Sequence, residues 1–113
     1  MSERLAAHVE AASLIRRAEQ EGGFATVLKR GDAERGSLLL LITSRGTHHA
    51  FLERALAAGG SYQWQKMGPG AGSSPQDLSE WVRKRTRFDE DSWLIELDIA
   101  EPERFIDEMV ASG

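Results

Sequence analysis

The sequence predicts an α+β fold: a single, mainly antiparallel sheet of about five strands, with an N-terminal helix, a helix before the last strand and a short C-terminal helix. Three observations carry this. An Ala-rich stretch of helical periodicity opens the chain, SLLLLITS is apolar on both faces, and DSWLIELDI alternates between apolar and polar residues. The 113 residues suit one domain over 1–113, and 41% hydrophobic against 28% charged residues favours a packed core over disorder.

Each element has its own signal. Ser2 to Gln20 reads as a helix capped by Ser2, with Glu3 in its first turn and Arg16 and Arg17 near its end, as the helix dipole favours. Leu5, Val9, Ala12 and Ile15 form one stripe, and Ala7, Ala11, Leu14 and Ala18 an adjacent one. Gly22 and Gly23 stop it. FATVLKR, residues 24–30, reads as a strand, GDAERG as a turn, and SLLLLITS as a central strand completing a hairpin. THHAFLERALAAGG fits two patterns. Thr47 caps and Phe51, Leu52, Ala55 and Leu56 fall at helical spacing, yet Arg45-Gly46 is a tight turn after a strand. SYQWQKM alternates, with Tyr62, Trp64 and Lys66 on one face. After the Gly-rich loop 68–74, Ser74-Pro75-Gln76-Asp77 opens a helix running to about Arg87. Trp93, Ile95, Leu97 and Ile99 form the inward face of the last strand. Pro102 opens a final helix that packs through Phe105, Ile106, Met109 and Val110.

Composition excludes several functions. With no cysteine there is no disulfide, thiolate zinc site or Cys nucleophile, and a reducing, cytoplasmic compartment fits. The net charge of −4 weighs against life on duplex nucleic acid without excluding a local basic patch. The N-terminus lacks the apolar run of a signal peptide, and LLLLI is too short to span a bilayer.

Three segments together, LIRRAEQEGGFATVLKRGDAERGSLLLLI, SYQWQKMGP and RFDEDSWLIELDIAEPERFIDE, resemble domain of unknown function 1491, a small family of alphaproteobacterial proteins. The resemblance covers nearly the whole chain. It implies a bacterial, cytoplasmic protein and supplies no catalytic or binding residues. It also implies a further strand after the second, hence helix, four antiparallel strands, helix, strand, helix.

Candidate chemistry is sparse. The loop at 68–72 stands where a phosphate loop would, but lacks the Gly-Lys-Ser/Thr ending and the dinucleotide spacing, so an ordinary connector is the simpler reading. His48 and His49 are adjacent and diverge on either a strand or a helix; Glu53 and His8 are the only further ligands in view. Tyr62, Trp64 and Lys66, with Lys29, Arg30 and Arg54 adding charge, form a candidate binding surface of the kind that stacks single-stranded bases, unless that face is simply core. Asp89, Asp91 and Glu96 could hold a divalent ion for hydrolysis or merely solvate a turn. No catalytic constellation, metal site or cofactor is assigned. Arg85 falls on the apolar face of its helix with Leu78, Trp81 and Val82, a face that Phe88 continues, and so needs a carboxylate or a way out to solvent. Asp89 and Asp91 are the nearest acids in sequence, which makes a structural clamp of Arg85, Asp89 and Asp91 the expectation. The reading that follows is a non-catalytic binding module whose partner is a protein or a second copy. Single-stranded nucleic-acid binding and a metal-dependent hydrolase or nuclease are the alternatives.

Overall fold

A computed structural model describes residues 5–112 of the chain, so the Ser2 cap lies outside the described residues. The elements run α1 (Ala7–Gln20), β1 (Phe24–Lys29), β2 (Leu38–Ser44), β3 (Thr47–Leu56), β4 (Tyr62–Met67), α2 (Pro75–Arg87), β5 (Trp93–Asp98) and α3 (Pro102–Ser112). Among the described residues, no helix is long and apolar enough to cross a membrane.

The strands form one sheet in the order β1-β5-β2-β3-β4. It is mixed: β5 pairs parallel to β2, whereas β1–β5, β2–β3 and β3–β4 are antiparallel. This corrects two expectations, the mainly antiparallel sheet and the β1–β2 hairpin. The reason is hydrophobic. β2 and β5 are buried on both faces, and the sheet centre is where both faces are covered. β5 therefore enters between β1 and β2, and GDAERG becomes a crossing over its first residues. There the Asp32 N–H donates to the Asp91 carbonyl at 2.9 Å, the Trp93 indole donates to the Asp32 carbonyl at 2.8 Å, and the Trp93 N–H donates to the Ser37 carbonyl at 2.7 Å. A side chain at either Gly31 or Gly36 would collide with the Asp91 carbonyl, which is why the crossing is bracketed by glycine. The N–H groups of Arg35 and Glu34 bond the Asp32 carboxylate and hold it below its usual pKa, fixing the loop between them.

Helices cover both faces of the sheet. On one face α1 and α3 pack through Ala7, Ala11, Leu14, Ala18, Phe105, Ile106 and Met109 onto Leu40, Ile42, Leu52, Trp64, Ile95 and Leu97. On the other, α2 lays Leu78, Trp81 and Val82 over Leu39, Phe51 and Leu94. Of the two α1 stripes, the Ala7–Ala18 one is buried and the other faces outward, with Leu5 and Val9 exposed. Val110 and Phe88 are also exposed, Phe88 at 84%, so neither continues its helix's packing face.

The ambiguous segment is strand β3, as the resemblance implied. A bulge lies between the Ile42–Ala50 and Thr43–His48 pairs, leaving His49 as the extra residue. His48 and Phe51 consequently share one face, with ring centroids 4.7 Å apart. Phe51 and Leu52, two of the residues that fall at helical spacing, are buried on opposite faces of this strand.

Candidate functional site

β3 is the strand on which the charged chemistry meets. Neighbouring side chains on a strand point to opposite faces, and Glu53 and Arg54 do so. Glu53 meets Arg85 of α2: Arg85 Nε donates to Glu53 Oε2 at 3.2 Å, and its Nη2 contacts Oε1, giving a forked pair with side-chain exposures of 27% and 11%. On the opposite face Arg54 Nη1 lies 2.6 Å from Oε2 of Glu10 on α1, whose side chain is almost wholly buried. The Arg54 guanidinium also lies 5.1 Å from the Trp64 ring centroid.

Arg85 is thus held by Glu53, not by Asp89 or Asp91. The phase of α2 aims it at the sheet, whereas the two aspartates lie in the turn leading out of the helix. The Asp91 N–H donates to Asp89 Oδ1 at 3.2 Å, and the Ser92 hydroxyl donates to the Asp89 carbonyl at 2.7 Å. Glu96 projects from β5 instead, accepting from the Thr43 hydroxyl at 2.8 Å. Among the described residues, no three His, Asp or Glu side chains gather into a metal site.

Trp64 is 4% exposed, packed in the main core beneath Arg54, and offers no face to a base. Tyr62, at 60% exposure, and Lys66 lie in solvent on either side of it, so these three residues do not form a stacking platform. The histidines diverge. His48 lies beside Phe51, its Nε2 2.9 Å from the Pro69 carbonyl, while His49 Nδ1 reaches Glu103 on α3 at 3.1 Å and His8 Nδ1 reaches the Ala33 carbonyl at 2.8 Å. The Gly-rich loop is a connector folded onto α2. Gly68, at φ +67°, leaves room for the Trp81 indole, and Ser74 caps the helix by accepting from the Asp77 N–H at 3.1 Å.

Asp98 is a buried acid at the end of β5. It accepts from the Arg45 and Gly46 N–H groups, both at 3.0 Å, and its Oδ2 lies 3.1 Å from the Thr43 hydroxyl. Desolvation raises its pKa, but these bonds together outweigh that and leave it below the usual value. Arg45, at φ +51°, is held in its left-handed turn by this carboxylate.

Sequence reasoning missed the Glu10–Arg54 pair, although a signal existed. Glu10 lies three residues after Ala7 and four before Leu14, on the stripe that α1 buries. Like Arg85, Glu10 is a charged residue on the apolar face of its helix and needs an opposite charge. Also missed was the contrast between the sheet's edges. Among the described residues β1 pairs only with β5 and exposes Phe24, Val27 and Leu28, while β4 presents Gln63 and Lys66, with Tyr62 and Met67 at its ends.

These features define a class: a small α+β protein with a five-stranded mixed sheet between helices and a charged pair on each face. The chain belongs to the family described as protein of unknown function (DUF1491), whose model matches residues 5–107. It is similar to a crystal structure of a DUF1491 family protein from Caulobacter crescentus, at 30% identity over 90% of this chain and 94% of that one, with a TM-score of 0.77. An NMR structure of a DUF1491 family protein from the same species matches at 31% identity, covering 89% and 91%, with a TM-score of 0.72. The solution structure of protein Atu0922 from A. tumefaciens shares the fold at 24% identity, covering 88% and 89%, with a TM-score of 0.71. No curated protein matches the chain.

Proposed function

We propose that this protein is a small, non-catalytic, cytoplasmic interaction module whose protein partner adds to the sheet at β1. The observation that carries the reading is the state of that edge. An edge strand is normally protected by lysine, by proline or by a covering element. The one lysine of β1, Lys29, is turned inward, its Nζ donating to the carbonyls of Glu90 at 2.8 Å and Ser92 at 2.5 Å. Phe24 at 59%, Val27 at 41% and Leu28 at 49% exposure then stand beside an edge that no other strand of the described residues covers. Strand addition there would combine main-chain hydrogen bonds with apolar side-chain contacts. The nucleic-acid alternative has lost Trp64 as a stacking surface, and the metal alternative has lost the convergence of its three acids.

The test compares tagged wild type with Val27→Lys in affinity purification from the native cell. Val27 is exposed, so the substitution leaves stability within about 0.5 kcal/mol. A protein retained by the wild type and lost by V27K, with an unchanged melting temperature, is the expected result. Equal retention by both proteins would place the interface elsewhere.

A further inference from the structure

We propose that the partner at the β1 edge is a second copy of this chain, the two sheets joining antiparallel across a two-fold axis at Thr26. This names the partner of the interaction reading above and rests on that reading. A two-fold interface must be complementary to itself. The β1 edge meets that condition in its strand, its covering helix and its charges.

Val27 pairs with Ile95 and Ala25 with Leu97, so both lie on the face that α1 covers. Thr26, opposite Glu96, lies on the other face and is exposed. An axis at Thr26 sets this residue against its own copy, and sets Ala25 against Val27 of the second copy, twice over. Thr–Thr pairs stabilise an antiparallel ladder, and small Ala25 leaves room for branched Val27. The irregularity between Val27 and Lys29 lies outside this central stretch. The covering helix matches the same axis. α1 packs on β1 and β5. Strands lie about 4.8 Å apart, so a helix centred over that pair stands about 5 Å from the axis and about 10 Å from its copy. Packed helices are about 8–10 Å apart. Ala12 and Ile15, both partly buried, lie by helical phase on the side of α1 turned away from Glu10 and Arg17, and so toward this seam. Ladder and helix contact together extend toward the roughly 1,200 Å² of a stable interface.

Charge singles out a second copy. Glu19 lies on the same side of α1 as Ala12 and Ile15, close to the start of β1. Arg30 follows the other end of β1, its guanidinium 5.4 Å from the centroid of the Trp93 ring on the α1 face. Both residues are exposed, and neither has an ion pair among the described residues. An antiparallel pairing brings the acidic start of each strand beside the basic end of the other, so Glu19 of each copy comes beside Arg30 of the other. A different protein would have to reproduce the strand, the helix and the order of charges, all of which a second copy supplies by symmetry.

The experiment measures the mass of the full chain by sedimentation from about 5 to 500 μM, together with disulfide trapping, for which the native chain offers no cysteine of its own. The wild type is expected to dimerise with a Kd of about 1–100 μM, and Val27→Lys at least about tenfold more weakly. Thr26→Cys places two sulfurs on the axis, where opposed Cα atoms about 4.5–5.5 Å apart are within disulfide reach, so mild oxidation should link the copies. Phe24→Cys would lie about 14 Å from its copy and should stay unlinked. Arg30→Glu should weaken the dimer about fivefold or more, and adding Glu19→Arg should restore it to within about twofold. The proposal is overturned if the wild type stays monomeric at about 500 μM. It is equally overturned if T26C links no faster than F24C, if V27K dimerises like the wild type, or if E19R leaves R30E as weak as before. A monomeric wild type that still captures another protein, lost by V27K, would overturn the second copy alone. Dimers in wild type and V27K alike, with equal capture by both, would overturn the edge reading as well.

Discussion

Replacing Glu53 by leucine removes the only carboxylate paired with Arg85 among the described residues and leaves a guanidinium facing the Leu39–Phe51–Trp81 cluster. Breaking a fully buried pair by deleting one partner costs about 3–5 kcal/mol. The Arg85 side chain keeps 27% of its exposure and can turn partly toward water, so about 2–3 kcal/mol is the expected loss. Arg85→Leu strands the less exposed Glu53 and should cost at least as much. Glu53→Leu with Arg85→Leu removes both charges together and should lie within about 1 kcal/mol of wild type, since apolar replacement of a buried pair is often close to neutral. Urea unfolding of the four proteins gives the coupling directly, from midpoints at a constant slope. Single losses below about 0.5 kcal/mol, or strictly additive effects, would refute a buried interaction and make the pair an ordinary surface contact.

Three further outcomes follow from the geometry. Gly68→Ala and Gly72→Ala both place alanine at positive φ, but only at Gly68 does the new Cβ meet the Trp81 indole. G72A should cost about 1 kcal/mol and G68A about 2–3, with the near-ultraviolet circular dichroism of Trp81 altered only in the latter. Asp98, whose folded pKa lies below the ordinary aspartate value of 3.8, contributes stability that is present above that value and lost as pH falls through the folded pKa. Asp98→Asn should therefore lower stability at neutral pH and make the acid limb of the stability profile shallower, as acid titrations followed by circular dichroism would show. Phe88→Ser should change stability by less than about 0.5 kcal/mol despite removing an aromatic ring, because that ring is 84% exposed.

The order of elements was legible in the sequence, whereas the order of strands was not. Periodicity and capping report what each segment is, and they placed α2 with its Ser74 cap and β5 with its inward Trp93, Ile95 and Leu97. Which strands lie side by side depends on contacts across the chain, and the insertion of β5 between β1 and β2 leaves almost no local trace beyond the glycines at 31 and 36. β3 was ambiguous for an identifiable reason: its middle is buried on both faces, so Phe51 and Leu52 are both apolar and the strand shows no alternation. The site followed the same division. That Arg85 needs an acid could be read from helical phase, but that the acid is Glu53, 32 residues away, could not.

The Glu53-Arg54 dipeptide has a consequence for how the chain avoids misfolding. Because strand side chains alternate, sliding β3 by one residue would turn Glu53 toward Glu10 and Arg54 toward Arg85. Two attractions would become two repulsions at once, on both sides of the sheet and in poorly hydrated surroundings where like charges are costly. The apolar residues around them give a weaker signal, since β3 is buried on both faces and leucine tolerates either one. The two charges therefore act as a parity check: a slipped pairing is rejected by charge where hydrophobicity alone would accept it.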